Sequence, residues 1–316
     1  MEQHFKVGIA GCGALGEVHA ERFSAIPGVH VVAGFDPSPL NLDNVKRKAG
    51  IEFAVYSDFE QFLDEEFDIL CIASPDSYHV AQLLAGLETG RHILCEKPLT
   101  PDPSELKSVI AAVENSGKRV SLSYPRRYDP GIRRMREEIQ SGNWGKIIAT
   151  TAYNAEDWIT PNRGTWRHDP KICPGGFFYD ANGHQIDVLF WLTGLGFEWV
   201  KCSLDYCGLP VPICASGIAQ LSQGVTFVFS FVGSAHIWRE RINIHCEKMD
   251  FVIENMVGYW SKDGVLSPMV ENELIETADE AFIKLLRGEG PNWSPVTDVG
   301  PVLNFTRAAL DSGMER

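Results

Sequence analysis

Phe5-Lys6-Val7-Gly8-Ile9-Ala10-Gly11-Cys12-Gly13-Ala14-Leu15-Gly16 is the stretch whose reading decides the fold. Its first half, Phe5–Ala10, is an apolar run of strand length. Its second half opens an amphipathic run predicted to be a helix from Ala14 to Ile26. The glycines between them stand in the spacing GxGxxG. Gly11 permits the tight turn, Gly13 lets the backbone approach a pyrophosphate, and Gly16 lets helix and strand pack closely. The amides of Ala14, Leu15 and Gly16 then face outward at a helix N-terminus, a favourable place for phosphate charge.

Reading outward, His30–Phe35 is a second strand and ends at Asp36, twenty residues beyond Gly16. A carboxylate there accepts both ribose hydroxyls, whereas a 2′-phosphate would meet a fixed negative charge. No Arg follows within Pro37-Ser38-Pro39, so NAD is favoured over NADP. Asp68–Ser74, His92–Cys95 and Arg119–Ser123 read as further strands, with helices around Val80–Thr89 and Ser104–Ser116. Strands alternating with helices at this spacing predict a doubly wound parallel sheet of the Rossmann kind over residues 1–123.

From residue 124 to 316 the pattern changes. Pro130–Ser141 reads as a charged helix, Lys146–Asn154 as a strand, and a helix ends near Leu192 before strand-like runs dominate from Trp199 to Trp260. In Val225–Val232 one face carries Val225, Phe227, Phe229 and Phe231, and the other is also partly apolar. Such a strand needs cover on both sides. Helices of the same chain can supply one cover and a second subunit the other, which predicts a homodimer or homotetramer.

Composition narrows the function classes. The chain has 316 residues, 44% hydrophobic and 22% charged, with a formal charge of −14. That charge repels phosphate backbones and anionic lipid, arguing against nucleic-acid and membrane-surface partners. No window approaches the roughly 18 consecutive apolar residues of a membrane-spanning helix, and no signal peptide is evident at the N-terminus. The eight cysteines are scattered and form no CxxC pair, the usage of buried reduced thiols in a cytoplasmic protein.

Two segments are expected beyond the carboxyl ends of strands, where Rossmann folds bind ligands. They are Ser74-Pro75-Asp76 and Glu96-Lys97-Pro98, the second presenting a lysine beside a residue of fixed φ. Further on, Gly175-Gly176 leads into Asp180, His184 and Asp187, at spacings of four and three that share one face of a continuous helix. A carboxylate one turn from an imidazole can orient it and set its proton affinity. A solvated Lys97 and a polar helix face begun by an N-capping Asp180 are the bland alternatives. Metal binding is disfavoured, because no third or fourth ligand is spaced nearby.

Taken together, GCGALG (11–16), SPDSYH (74–79), EKP (96–98), RRYDP (126–130), WRHDP (166–170) and GGFFYDANGHQID (175–187) resemble the glucose–fructose oxidoreductase/inositol dehydrogenase (Gfo/Idh/MocA) family over nearly the whole chain. The resemblance implies a Rossmann domain joined to an α+β domain with an open, largely antiparallel sheet, whose face commonly forms the subunit interface. It implies catalysis by Lys97, Asp180 and His184 on sugars, cyclitols or related polyols. Ser74, Pro75, His79, Glu96, Lys97, Arg126, Trp166 and Arg167 are expected to join the glycine turn in holding the cofactor. Tyr153, Asp157 and Trp158, in an aromatic and polar segment suited to a pyranose or cyclitol, are expected to join the catalytic trio around the substrate. The chain departs from the family pattern at Ser74 for Thr, Asp76 for Asn, Pro125 for Asn and Asn182 for Gly, and a closing strand after the last helix is not expected.

The reaction so implied moves a hydride between a nicotinamide and a secondary alcohol carbon. It needs a base near neutral pKa and a donor for the developing alkoxide. His184 has the suitable intrinsic pKa and Lys97 can hydrogen-bond the same oxygen, although the lysine serves as base in some relatives. Two alternatives are a redox-neutral, NAD-dependent glycosidase or lyase on the same fold, and a nucleotide-sensing regulator without catalysis.

Overall fold

A computed structural model describes residues 4–271 and 274–315, which divide into two compact units. The first unit begins with β1 (Phe5–Ala10), α1 (Ala14–Ala25), β2 (Val29–Phe35), α2 (Pro39–Ala49), β3 (Ala54–Tyr56) and α3 (Phe59–Leu63). It continues through β4 (Ile69–Ile72), α4 (His79–Glu88), β5 (His92–Glu96), α5 (Leu106–Ser116) and β6 (Val120–Ser123). Its sheet is wholly parallel in the order β3-β2-β1-β4-β5-β6, the doubly wound Rossmann order. The strands β4 and β6 are buried at every residue, as expected where helices cover both faces. The sequence reading lacked α2, β3 and α3, because β3 has only three residues and no alternation to detect.

The second unit takes up α6 (Pro130–Gln140), β7 (Ile147–Asp157), α7 (Ile159–Asn162), α8 (Gly176–Asp180) and α9 (Gly183–Thr193). There follow β8 (Phe197–Asp205), β9 (Cys214–Leu221), β10 (Thr226–Val232), β11 (Ser234–Cys246), β12 (Asp250–Glu254), β13 (Val257–Lys262) and β14 (Val265–Pro268). The chain then returns to the first unit with α10 (Ala278–Arg287), opened by a reciprocal Thr277–Glu280 capping box. It ends in the second unit with α11 (Gly300–Ser312) and β15 (Met314–Glu315). A division at residue 123 therefore leaves out residues 276–297, which belong with the first unit. The physical reason is a buried ion cluster on α10, described below. The closing strand that was not expected is present as β15, paired parallel with β8.

The second sheet has nine strands in the order β14-β13-β12-β11-β7-β10-β9-β8-β15, largely antiparallel, with parallel pairs at β10–β7 and β15–β8. Phe227, Phe229 and Phe231 are buried and meet Phe178 of α8 and Phe305 of α11, so helices of the chain cover that face. The other face is open. Cross-strand register puts Tyr153, Val228, Ile218 and Trp199 on it, each between 41% and 46% exposed. Six cysteines are buried as expected, but Cys207 is exposed and Cys214 partly so, because they flank the loop that joins β8 to β9. No described helix is long and apolar enough to cross a membrane.

Candidate active site

The first unit assembles its residues at the carboxyl ends of adjacent strands. Gly11 follows β1 with φ of +89°, and a Cβ there would lie 2.3 Å from the Ser74 amide nitrogen after β4. A Cβ on Gly16 would lie 2.1 Å from the Gly11 carbonyl oxygen, so the helix seats against the turn only without a side chain. Around Gly13 the situation is reversed: a Cβ would meet nothing within 4 Å. That open space lies before the first turn of α1, whose N-cap supplies no side-chain hydrogen bond. A bound anion can take the capping place there.

Asp36 is buried beside this turn. Its Oδ2 accepts the Cys12 amide at 2.9 Å, and its Oδ1 accepts the Ser38 amide at 2.8 Å and the Asn41 side-chain amide at 3.0 Å. The carboxylate is thereby fixed against the glycine turn. Asn41 went unnoticed in the sequence, having no motif of its own. Ser74 donates its hydroxyl to Gln82 at 2.6 Å, and Pro75 precedes a short helical turn.

Two residues expected at the cofactor hold protein groups instead. His79 lies between two carbonyls, with Nδ1 2.7 Å from Pro98 O and Nε2 2.8 Å from Ser74 O, and burial pushes its pKa down. Its role is to tie the Ser74 and Pro98 loops together. Glu96 is buried against His19, and its Oε2 accepts the Lys97 amide at 3.2 Å. Lys97 itself is half-buried just past the end of β5.

In the second unit the helix expected over residues 180–187 is broken. Asp180 ends α8, Ala181 and Asn182 form a turn, and His184 lies in the first turn of α9. The spacing of Asp180, His184 and Asp187 therefore runs through a turn whose two residues keep right-handed helical dihedrals, and not along one continuous helix. Asn182 explains the break: its Nδ2 donates to the Phe177 carbonyl at 2.9 Å, and its Oδ1 accepts from Asn154 of β7 at 3.0 Å. The departure from glycine at this position thus stitches the turn to the sheet.

Each carboxylate then finds an arginine. Oδ2 of Asp180 accepts the Arg167 Nε–H at 2.8 Å, and that guanidinium lies 4.4 Å over the Trp166 ring. Asp187 receives Nε and Nη2 of Arg127 at 3.0 and 2.5 Å, both residues fully buried. Asp187 is thereby part of the core ion pairing and not of the His184 face. Arg126, expected at the cofactor, forms a bidentate pair with Glu240 of β11, which also accepts from Gln185 at 2.8 Å. Nothing in the sequence marks Glu240, a single acid in a strand 114 residues away.

The residues expected around the substrate fare unevenly. Tyr153 points to the open sheet face, opposite to its neighbour Asn154, because successive strand side chains alternate. Trp158 is buried against His168 and Phe177 as a core residue. Asp157 is exposed and accepts the Thr160 amide at 3.0 Å, a bond that holds its carboxyl below the usual range. His184 is half-buried in the first turn of α9, and the Arg167–Asp180 pair is partly exposed. Among the described residues no group of three His, Cys, Asp or Glu is placed to hold a metal ion.

Residues 5–124 match the family model described as "Oxidoreductase family, NAD-binding Rossmann fold", and residues 132–252 match the GFO/IDH/MocA C-terminal domain. The chain belongs to the Gfo/Idh/MocA family. Within that family it is 29% identical over 195 residues to scyllo-inositol 2-dehydrogenase (NAD(+)) of Bacillus subtilis (strain 168), covering 61% of this chain and 55% of that enzyme. It is 28% identical over 203 residues to levoglucosan dehydrogenase of Pseudarthrobacter phenanthrenivorans, covering 61% of this chain and 52% of that protein. The matches thus span about half the length of these Gfo/Idh/MocA relatives. Among solved structures, levoglucosan dehydrogenase in complex with NADH and levoglucosan superposes with a TM-score of 0.83 over 98% of this chain and 97% of that one, at 21% identity. That likeness establishes a shared fold.

Proposed function

We propose that this protein is an NAD-dependent dehydrogenase that oxidises a secondary alcohol of a cyclitol, sugar or related polyol. The observation that carries the reading is the alignment, at the carboxyl ends of neighbouring strands β2, β1, β4 and β5, of Asp36, the Gly11–Gly16 turn, Ser74 and Lys97. The open space before Gly13 and the fixed Asp36 carboxylate fit a pyrophosphate and a ribose, and the names of the relatives point to the same cofactor and substrate class.

When bound, the nicotinamide supplies the hydride acceptor. The protein's part is proton and charge management. His184 is assigned as the base that takes the hydroxyl proton, since an imidazole titrates near neutrality. The Lys97 ammonium stabilises the same oxygen as negative charge grows on it. Asp180, held by Arg167, is assigned to orient the reacting hydroxyl or its neighbour. The open sheet face carrying Tyr153, Val228, Ile218 and Trp199 is assigned to a second copy of the chain, because an exposed apolar surface of this kind marks an interaction site.

An absorbance screen for NADH formation over inositols, sugars and sugar acids, with NAD and NADP, tests the reading. Reduction of NAD by a polyol is the expected result. Glycoside cleavage without net NADH would assign the redox-neutral reaction instead, and binding of NAD with no turnover of any polyol would assign a sensor.

A further inference from the structure

The buried charges of the first unit converge on one imidazole. His19, on α1, places Nδ1 2.7 Å from Oδ1 of Asp279 on α10 and Nε2 3.1 Å from Oε1 of Glu96 at the end of β5. Its side chain is 2% exposed and that of Asp279 is fully buried. Ionised carboxylates only accept hydrogen bonds, so two such partners require both ring nitrogens to donate, and the ring is an imidazolium. Burial opposes that charge, but the charge and hydrogen bond of Asp279, together with those of Cys71, outweigh it and hold the His19 pKa well above the ordinary value. Burial likewise opposes the Glu96 carboxylate, and the hydrogen bond and charge of His19, then the charge of Lys97 and a hydrogen bond from Ser123, bring its pKa down. Cys71 also faces the ring, and Arg22 reaches the second oxygen of Asp279 at 3.5 Å.

A cluster of this kind is a costly way to fill a core, since apolar side chains of similar volume often pack as stably. What it adds is direction. One end grips α1, whose N-terminus is assigned above to the pyrophosphate. The second grips α10, brought in from 260 residues away. The third reaches Glu96, the last residue of β5, which the sheet also pairs with Ser123 and which directly precedes Lys97. The remaining Glu96 oxygen takes the Lys97 amide.

We propose that His19 is a positioning residue for Lys97, clamping the end of β5 to α1 and α10 through Glu96 and Asp279. The consequence for turnover rests on the reading of Lys97 as a group that acts on the substrate; the clamp itself does not.

The test uses the full chain and the variants His19→Gln and Asp279→Asn, with folding checked by thermal melting. Glutamine cannot donate to two carboxylates in this geometry, and asparagine removes the charge while keeping shape, so it carries the test should His19→Gln fail to fold. The first readout is acylation of Lys97 by acetic anhydride across pH, measured by peptide mass spectrometry against exposed Lys107. The second is steady-state kinetics with a polyol that the parent oxidises. Loosening the strand end should change relative Lys97 acylation roughly threefold or more and lower kcat about tenfold, with the KM for NAD much less affected. Folded variants with parental Lys97 acylation would overturn the clamp. Lys97→Ala that kept full turnover, beside variants that still altered Lys97 acylation, would remove Lys97 from the chemistry and leave the clamp standing.

Discussion

Arg167 donates its Nε–H to Oδ2 of Asp180 across 2.8 Å while its guanidinium covers the Trp166 ring. The Asp180 carboxylate is thus aimed from a loop thirteen residues upstream. A planar fork stacked on an indole holds one orientation in a way that an ammonium does not. Arg167→Ala is therefore expected to lower kcat on the order of 10²-fold, the scale of a misplaced catalytic group. Arg167→Lys should recover little of the loss. A lysine variant with parental kcat would show that only charge matters at this position.

Lys97→Ala and His184→Ala should each lower turnover by about 10²-fold or more, the usual scale for a positioned acid–base group. Dinucleotide affinity should change far less, because its contacts are assigned to Gly11–Gly16 and Asp36. The double variant should be little worse than the worse single one, since groups acting as a unit are not additive. Full activity of His184→Ala would leave Lys97 as the base.

Cofactor choice follows from Asp36. NAD(H) should bind at least about tenfold more tightly than NADP(H), a difference of roughly 1.4 kcal/mol. Asp36→Ala should narrow that gap by admitting the 2′-phosphate. Calorimetric titration giving equal affinities in the parent would remove Asp36 from the ribose site.

Asp187 belongs to the core, so its loss should be read in stability. Asp187→Asn leaves the Arg127 guanidinium buried opposite a neutral partner, with Asp298 3.7 Å from its Nη1 as the remaining carboxylate. Breaking a buried pair in this way costs about 3–5 kcal/mol. Urea denaturation should report a loss of that order, and a cost below about 1 kcal/mol would mean that the pair is relaxed by solvent.

The open sheet face predicts an assembly. Light scattering of the parent should give a dimer or tetramer, and Val228→Arg, which sets a charge in the middle of that face, should shift it toward monomer. A monomeric parent at micromolar concentration would refute the assignment of this face to a second copy.

Sequence alone determined the nucleotide-binding turn of the first unit and its strands β1, β2, β4, β5 and β6, but not α2, β3, α3 or the return of α10. A strand, a GxGxxG turn, a helix and an acid at the next strand end are local features, and two of the glycines meet a local requirement: Gly11 its positive φ, Gly16 its approach to Gly11 O. The alternation of Phe227, Phe229 and Phe231 likewise foretold a face buried under the chain's own helices, because strand period and burial are linked residue by residue. Only the tertiary structure decided the partners of the charges. Spacing put Asp180, His184 and Asp187 on one helix face, yet a turn at Ala181–Asn182 interrupts that helix and two arginines claim the acids. Likewise Glu96 and Asp279 both turned to His19, and Arg126 to Glu240. A buried charge must find its opposite wherever the fold brings one close, and that distance in space leaves no trace in the spacing along the chain.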